Sequence, residues 1–135
     1  MKIYSLRLNP GQDLRVELVN FAKHNGIRAG SILTCVGSLK SVILRLAGAT
    51  VENQNVRTYE DVYEIVSLVG TLTGDDCHIH ISVSDKNGVV IGGHLKEGSL
   101  VDTTAEIVIT EHEGVEYLRE LDNNTGFPEL VVRRI

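Results

Sequence analysis

His78 and His80, which flank Ile79, and His94, which follows Gly92-Gly93, are the residues whose types and spacing can do chemistry in this chain. Residues two apart on a strand project from the same face, so His78 and His80 are neighbours if their segment is extended. Whether His94 joins them depends on the turn at Asp85-Lys86-Asn87-Gly88. A two-residue Asn87-Gly88 loop pairs Lys86 with Val89 and sets His94 opposite Ile81, on the wrong face. A three-residue loop with Gly88 in the left-handed bulge position pairs Asp85 with Val89 and sets His94 opposite His80. Asp85 favours the second register, because a carboxylate at the first turn position accepts hydrogen bonds from the turn backbone. Gly92-Gly93 could add a further bulge. In the second register the imidazoles lie within about 5 to 7 Å of one another at Cβ.

Three neutral imidazoles so placed can converge on one divalent ion with bonds of ~2.0 to 2.1 Å. Zinc is the first expectation, although cobalt, nickel, iron and copper suit the same donors. Three protein ligands leave a fourth position open, and water there becomes acidic enough to act as a nucleophile. The plainer reading is a set of polar residues on a solvated strand face. Glu64, Glu97 and Glu106 are candidate proton carriers if folding brings one of them to the site. Ser82 and Ser84 share the histidine face, but no spacing marks a catalytic triad. Cys77 points to the opposite face of a regular strand and reads as a buried, inert thiol. The glycines at 88, 92, 93 and 98 lack the Lys-Ser/Thr ending of a phosphate loop, and turn requirements explain them.

The elements that must hold these residues are mostly strands. Ile3 to Leu8 alternates and is closed by Asn9-Pro10-Gly11. Asp13 caps a helix in which Leu14, Leu18, Phe21 and Ala22 recur at helical spacing, ended by Asn25-Gly26. His24 in its last turn suits the helix dipole better than catalysis. Ser31 to Val36 and Val42 to Leu46 predict two strands around Gly37-Ser38. Tyr63 to Leu72 predicts a long strand in which Glu64 shares an apolar face with Val66, Leu68 and Leu72. His78 to Ser84 and Val89 to Leu95 form the histidine hairpin, Thr104 to Thr110 adds a strand, and Leu130 to Val132 closes the chain after a turn at Asp122 to Gly126. Many strands and one helix without βαβ alternation predict a single α+β domain over residues 1–135, a curved and largely antiparallel β-sheet carrying one main α-helix.

Composition agrees. At 135 residues the chain suffices for one domain with its own core. Trp is absent and aromatic content is 4%, so Val, Ile and Leu must fill that core, which favours strands. The net charge of −5 disfavours non-specific attraction to nucleic acid phosphates, and the only adjacent basic pair is Arg133-Arg134. No apolar run approaches the ~20 residues of a membrane helix, and the start lacks a signal-peptide core. Cytoplasmic residence with Cys35 and Cys77 reduced is the expectation.

The segment from Gly74 to Ile109, with His78-Ile79-His80, Asp85-Lys86-Asn87-Gly88, Gly92-Gly93-His94-Leu95, Gly98 and Thr104-Ala105-Glu106-Ile107, resembles the PPC domain shared by plants and prokaryotes. Tyr63-Glu64-Ile65 upstream and Thr125-Gly126-Phe127 with Glu129-Leu130 downstream extend the resemblance over nearly the whole chain. It implies an α+β fold with a curved antiparallel sheet, homotrimers and, in some prokaryotic members, metal on histidines matching His78, His80 and His94. Plant relatives carry an AT-hook that enters the DNA minor groove, and this chain has none. Asp61-Val62-Tyr63-Glu64-Ile65-Val66 keeps Glu64 and Ile65 of the plant Gly-Arg-Phe-Glu-Ile-Leu pattern but loses its Gly and Arg. The function expected is therefore a metal-containing binding or regulatory module with protein partners. A zinc-dependent hydrolase using Glu64 or Glu106 is the alternative, and direct DNA binding is a third.

Overall fold

β2 organises the molecule. The computed structural model describes all 135 residues, in the order β1 (Lys2–Leu8), α1 (Leu14–His24), β2 (Gly30–Arg45), β3 (Val56–Tyr59), β4 (Tyr63–Leu72), β5 (Cys77–Ser84), β6 (Val90–Leu95), β7 (Leu100–Glu111), β8 (Val115–Leu121) and β9 (Pro128–Arg134). Ser31 to Val36 and Val42 to Leu46 are not two strands: apart from Leu46, which lies just beyond its end, both belong to the 16-residue β2. Gly37-Ser38 reads as a turn because both residues favour turns. In the fold, Gly37 instead lies where β7 comes close, and a Cβ there would sit 2.1 Å from the Thr104 carbonyl oxygen.

Seven strands form one antiparallel sheet in the order β1-β7-β2-β4-β5-β6, with β3 on β2. Register shifts at Ile32/Thr34, Gly37/Leu39 and Leu39/Ser41 bend β2, as bulges do. Its first part pairs with β7 and β4. Its end pairs with β3 and also reaches β6, through Leu44↔Leu95 and Arg45↔His94. The sheet thus curls until β2, β4, β5 and β6 form a closed circuit. Inside it Leu39, Val42, Leu44, Leu68, Ile79, Ile81, Val83, Leu95 and Val101 are almost fully buried.

α1 adds Leu14, Leu18 and Ala22 to the same core. Its Asp13 cap accepts from Val16 N at 3.0 Å and from Gly98 N at 2.7 Å, so one carboxylate starts the helix and fixes the loop before β7. Gly26, at φ +65°, ends it in the left-handed position expected of the Asn25-Gly26 pair. β8 and β9 make a separate hairpin that docks by backbone bonds from His112 N to Ala29 O (2.8 Å) and from Tyr117 N to Arg28 O (3.0 Å). The nearly buried Glu116 carboxylate accepts from Arg28, in the loop before β2, and from Arg133 on β9. β3 and β8 lie where no strand is predicted: β3 has only four residues, and in β8 four of the seven residues are only partly buried, without a clean inside–outside alternation.

No helix is long and apolar enough to cross a membrane. Cys35 and Cys77 are buried and unpaired, and burial pushes their thiols up to about 12 and about 11. Both are inert in that state.

Candidate metal centre

The hairpin takes the three-residue turn. Asp85 N donates to Val89 O and Gly88 N to Asp85 O, each at 3.0 Å, while Asp85 Oδ1 accepts from Asn87 N at 2.8 Å and Val89 N at 3.0 Å. Gly88 stands at φ +78°, the conformation that the bulge position requires. Pairing then runs without interruption from Ser84↔Val90 through Ser82↔Gly92 to His80↔His94. Gly92-Gly93 therefore introduces no bulge.

Cys77, Ile79, Ile81 and Val83 turn into the core, and His78 and His80 turn outward. His94, on β6, joins them half-buried. Ring centroids are 5.1 Å apart for His78 and His80, 5.0 Å for His78 and His94, and 5.7 Å for His80 and His94. One nitrogen of each ring lies within 4.8 Å of those of the other two. Across the sheet, β4 places Val69 opposite His80 and Thr71 opposite His78. Between them is Gly70, at φ +152°, where a Cβ would meet the His78 carbonyl oxygen at 2.1 Å and Ile79 Cα at 2.7 Å. Only a glycine lets β4 and β5 approach closely enough to hold His78 in place.

The site is electropositive. Arg45 Nη2 lies 3.1 Å from His94 Nδ1, and a guanidinium can only donate, so this ring nitrogen is the acceptor and carries no proton. Burial, then Arg45, His78, Lys96 and His80, push His94 down to about 3. His78 is also lowered, by burial first and then by His80, Arg119 and Arg45. At neutral pH both rings are neutral, the form in which imidazole binds a metal, although the lone pair on His94 Nδ1 is engaged by Arg45.

A cleft of about 420 Å³ opens beside His78 and His94, roofed by the β8–β9 hairpin through Arg119, Phe127, Pro128 and Glu129. Arg45 also lies over the Phe127 ring, 5.3 Å from its centroid. None of the three expected carboxylates lines the cleft, and Glu97 is ion-paired with Arg15 at 3.6 Å. Glu64 pairs with Ser84, four residues along β5 from His80 and so about 13 Å away at strand pitch. It is exposed rather than on an apolar inner face, because a register shift between Ile65 and Ser67 reverses the alternation and turns Leu68 and Leu72 inward while Glu64 and Val66 stay outside. Glu106 lies on β7 opposite Val36 and Arg7, three strand spacings from β5, or about 14 Å. Two carboxylates do line the cleft, Asp76, which is paired with Arg15 at 2.9 Å, and Glu129, which raises His78 slightly against the arginines. Sequence position hides Glu129, since the hairpin brings it back from 35 residues beyond His94. Ser82 is taken up by Ser67, Oγ to Oγ at 2.6 Å. Elsewhere Ser31 Oγ meets His112 Nε2 at 2.8 Å, yet no carboxylate bonds that ring, so the pair makes no triad.

Comparison with known proteins gives a consistent picture. The model of the Plants and Prokaryotes Conserved (PCC) domain matches residues 1–113. The bifunctional protein GlmU of Synechococcus sp. (strain JA-3-3Ab) is 40% identical over 135 residues, all of this chain and 21% of that protein. The chain thus spans about a fifth of the length of the curated relatives it matches. A hypothetical protein from Salmonella has the same fold at a TM-score of 0.91 and 38% identity, covering 98% of this chain and 94% of its own. A metal-containing protein from Archaeoglobus fulgidus follows at a TM-score of 0.81 and 28% identity, covering 97% and 94%.

Proposed function

This chain belongs to the Plants and Prokaryotes Conserved domain family, and from that premise we propose that it is a homotrimeric metal-binding module whose zinc or other divalent transition ion is held by His78, His80 and His94. The carrying observation is the convergence of three imidazoles, each with a nitrogen within 4.8 Å of the other two. Ligand atoms around a tetrahedral ion stand about 3.4 Å apart at zinc–nitrogen bond lengths. Small rotations of the two exposed rings close that difference, and burial keeps His94 neutral for the purpose. The donor set fits, and the name of the Archaeoglobus protein supports the same reading.

Self-association is supported by apolar side chains left outside on the central strands, Leu33 and Val36 on β2 and Val66 and Val69 on β4, each more than half exposed. A monomer gains nothing from that arrangement, whereas a second copy would remove the surface from water. Cytoplasmic residence is part of the same proposal, supported by two buried thiols without a disulfide. The regulatory role rests on the family alone. Direct DNA binding gains no support from a net charge of −5.

The test is metal analysis of the purified protein beside a His78→Ala/His80→Ala variant. We expect about one divalent ion per chain in the former and loss of it in the latter; undiminished metal in a folded variant would sink the assignment.

The cleft favours a second reading, a hydrolase in which the ion would activate water and Glu129 would carry the proton. It is open beside two of the histidines, and Glu129 lines it where Glu64 and Glu106 do not. Zinc-dependent ester hydrolysis abolished by Glu129→Gln with metal content intact would support it. Activity unaffected by that variant would refute the role.

A further inference from the structure

The cleft is built largely from cations in a chain that is acidic overall. Arg15, Arg45, Lys96 and Arg119 line it against two carboxylates, Asp76 and Glu129, although the protein carries −5. The four come from α1, the end of β2, the residue after β6, and β8, so only the tertiary fold assembles them. Scattered surface charge does not explain their concentration.

Their pairing differs. Arg15 is spoken for, with Asp76 at 2.9 Å and Glu97 at 3.6 Å. Arg45, Lys96 and Arg119 have no carboxylate within ion-pair distance. Arg45 bonds Gln54 Oε1 and His94 Nδ1, and Arg119 bonds Thr71 Oγ1 at 3.3 Å, which leaves most of the five N–H groups of each guanidinium unused. The Phe127 ring makes a cation–π contact with Arg45 at 5.3 Å. A cleft of about 420 Å³ is the size that takes a small molecule, and two guanidinium forks with an ammonium fit an oxyanion. Only two of the eleven lining residues are hydrophobic, which rules against an apolar guest.

We propose that this cleft is a receptor for the phosphate or carboxylate group of a small anionic molecule, bound by Arg45, Lys96 and Arg119. It shares His78 and His94 with the metal centre proposed above, but its receptors are the three cations. The anion therefore binds with or without the ion, and a metal at the histidines would face the same guest.

Calorimetric titration with inorganic phosphate and, separately, with succinate tests this on protein as purified and after chelation. Saturable binding of at least one anion, near one per chain, is expected in both preparations, and the stronger of the two identifies the headgroup. Lys96→Gln/Arg119→Gln should weaken it about tenfold or more while metal content stays unchanged. Lys40→Gln/Lys86→Gln removes the same charge from exposed positions outside the cleft and should leave the affinity as it was. Because Arg119 also bonds Thr71, circular dichroism melts accompany the double variant, and Lys96→Gln alone should still weaken binding several-fold. Absence of saturable binding by both anions in chelated protein, or equal weakening by the control variant, would overturn the proposal and leave the metal reading standing. A protein that binds phosphate but holds no metal would reject the metal reading alone.

Discussion

At the scale of residues, His94 and Arg45 set the chemistry. A ring nitrogen that accepts from a guanidinium cannot also carry a proton or a metal, so an ion at Nδ1 displaces Arg45, and an ion at Nε2 makes Nδ1 a donor facing a donor. Charge acts in the same direction, since a unit charge about 7 Å from a divalent ion repels it by roughly 1 kcal/mol even in water. Arg45→Gln should therefore tighten zinc about five- to tenfold, read by competition with a chromophoric chelator, and at the same time weaken phosphate in the cleft. Changes in the same direction for both ligands would contradict this account of Arg45. Protonation gives a second prediction. The unfolded chain binds a proton at His94 near the ordinary 6.5, whereas the folded chain refuses it until about 3. Between those values the unfolded state holds more protons, so acidification through this window destabilises the metal-free protein. His94→Gln should flatten part of that decline in a series of thermal melts against pH.

At the scale of elements, two glycines of the histidine sheet differ in what they protect. Gly88 faces open space, and its φ of +78° alone resists substitution. Gly88→Ala should cost about 1 kcal/mol by denaturant unfolding and keep zinc, because the cross-strand pairs from Ser84↔Val90 to His80↔His94 still hold the register. Gly70→Ala must instead push β4 from β5 exactly between the partners of His78 and His80. It should cost about 3 kcal/mol or more, within the range of severe backbone and packing lesions, and reduce metal content as well. Equal effects of the two substitutions on zinc would remove Gly70 from the positioning role. The β8–β9 hairpin is the other element the cleft needs, and Glu116, between Arg28 and Arg133, is its clamp.

For the whole molecule, curling the sheet puts one face inside and leaves the other outside. The histidines and the apolar residues Leu33, Val36, Val66 and Val69 all end up on the outer surface. If those side chains meet another copy, Leu33→Asp/Val36→Asp should convert a trimer of about three times 14.8 kDa into a monomer by light scattering, with the melt of the monomer still cooperative. A wild-type protein that already runs as a monomer would remove the interface proposal.

Local rules were enough for much of this. β1, α1 with its Asp13 and Gly26 ends, β4, and the histidine hairpin follow from alternation, capping and turn chemistry, which act over a few residues. So does the meeting of His80 with His94, because the Asp85 to Gly88 turn sets the register of everything beyond it. The sequence by itself therefore determined the three-imidazole cluster and the α+β class. It could not show that Gly37-Ser38 lies inside one strand, since the close approach of β7 is a contact between residues far apart in the chain. It misplaced Glu64 because one bulge inverts the inside and outside of a strand. Only the tertiary structure brought Arg45, Lys96, Arg119 and Glu129 around the histidines, because these residues share no local period and are joined only by β2 curling onto β6 and the last hairpin folding back over both.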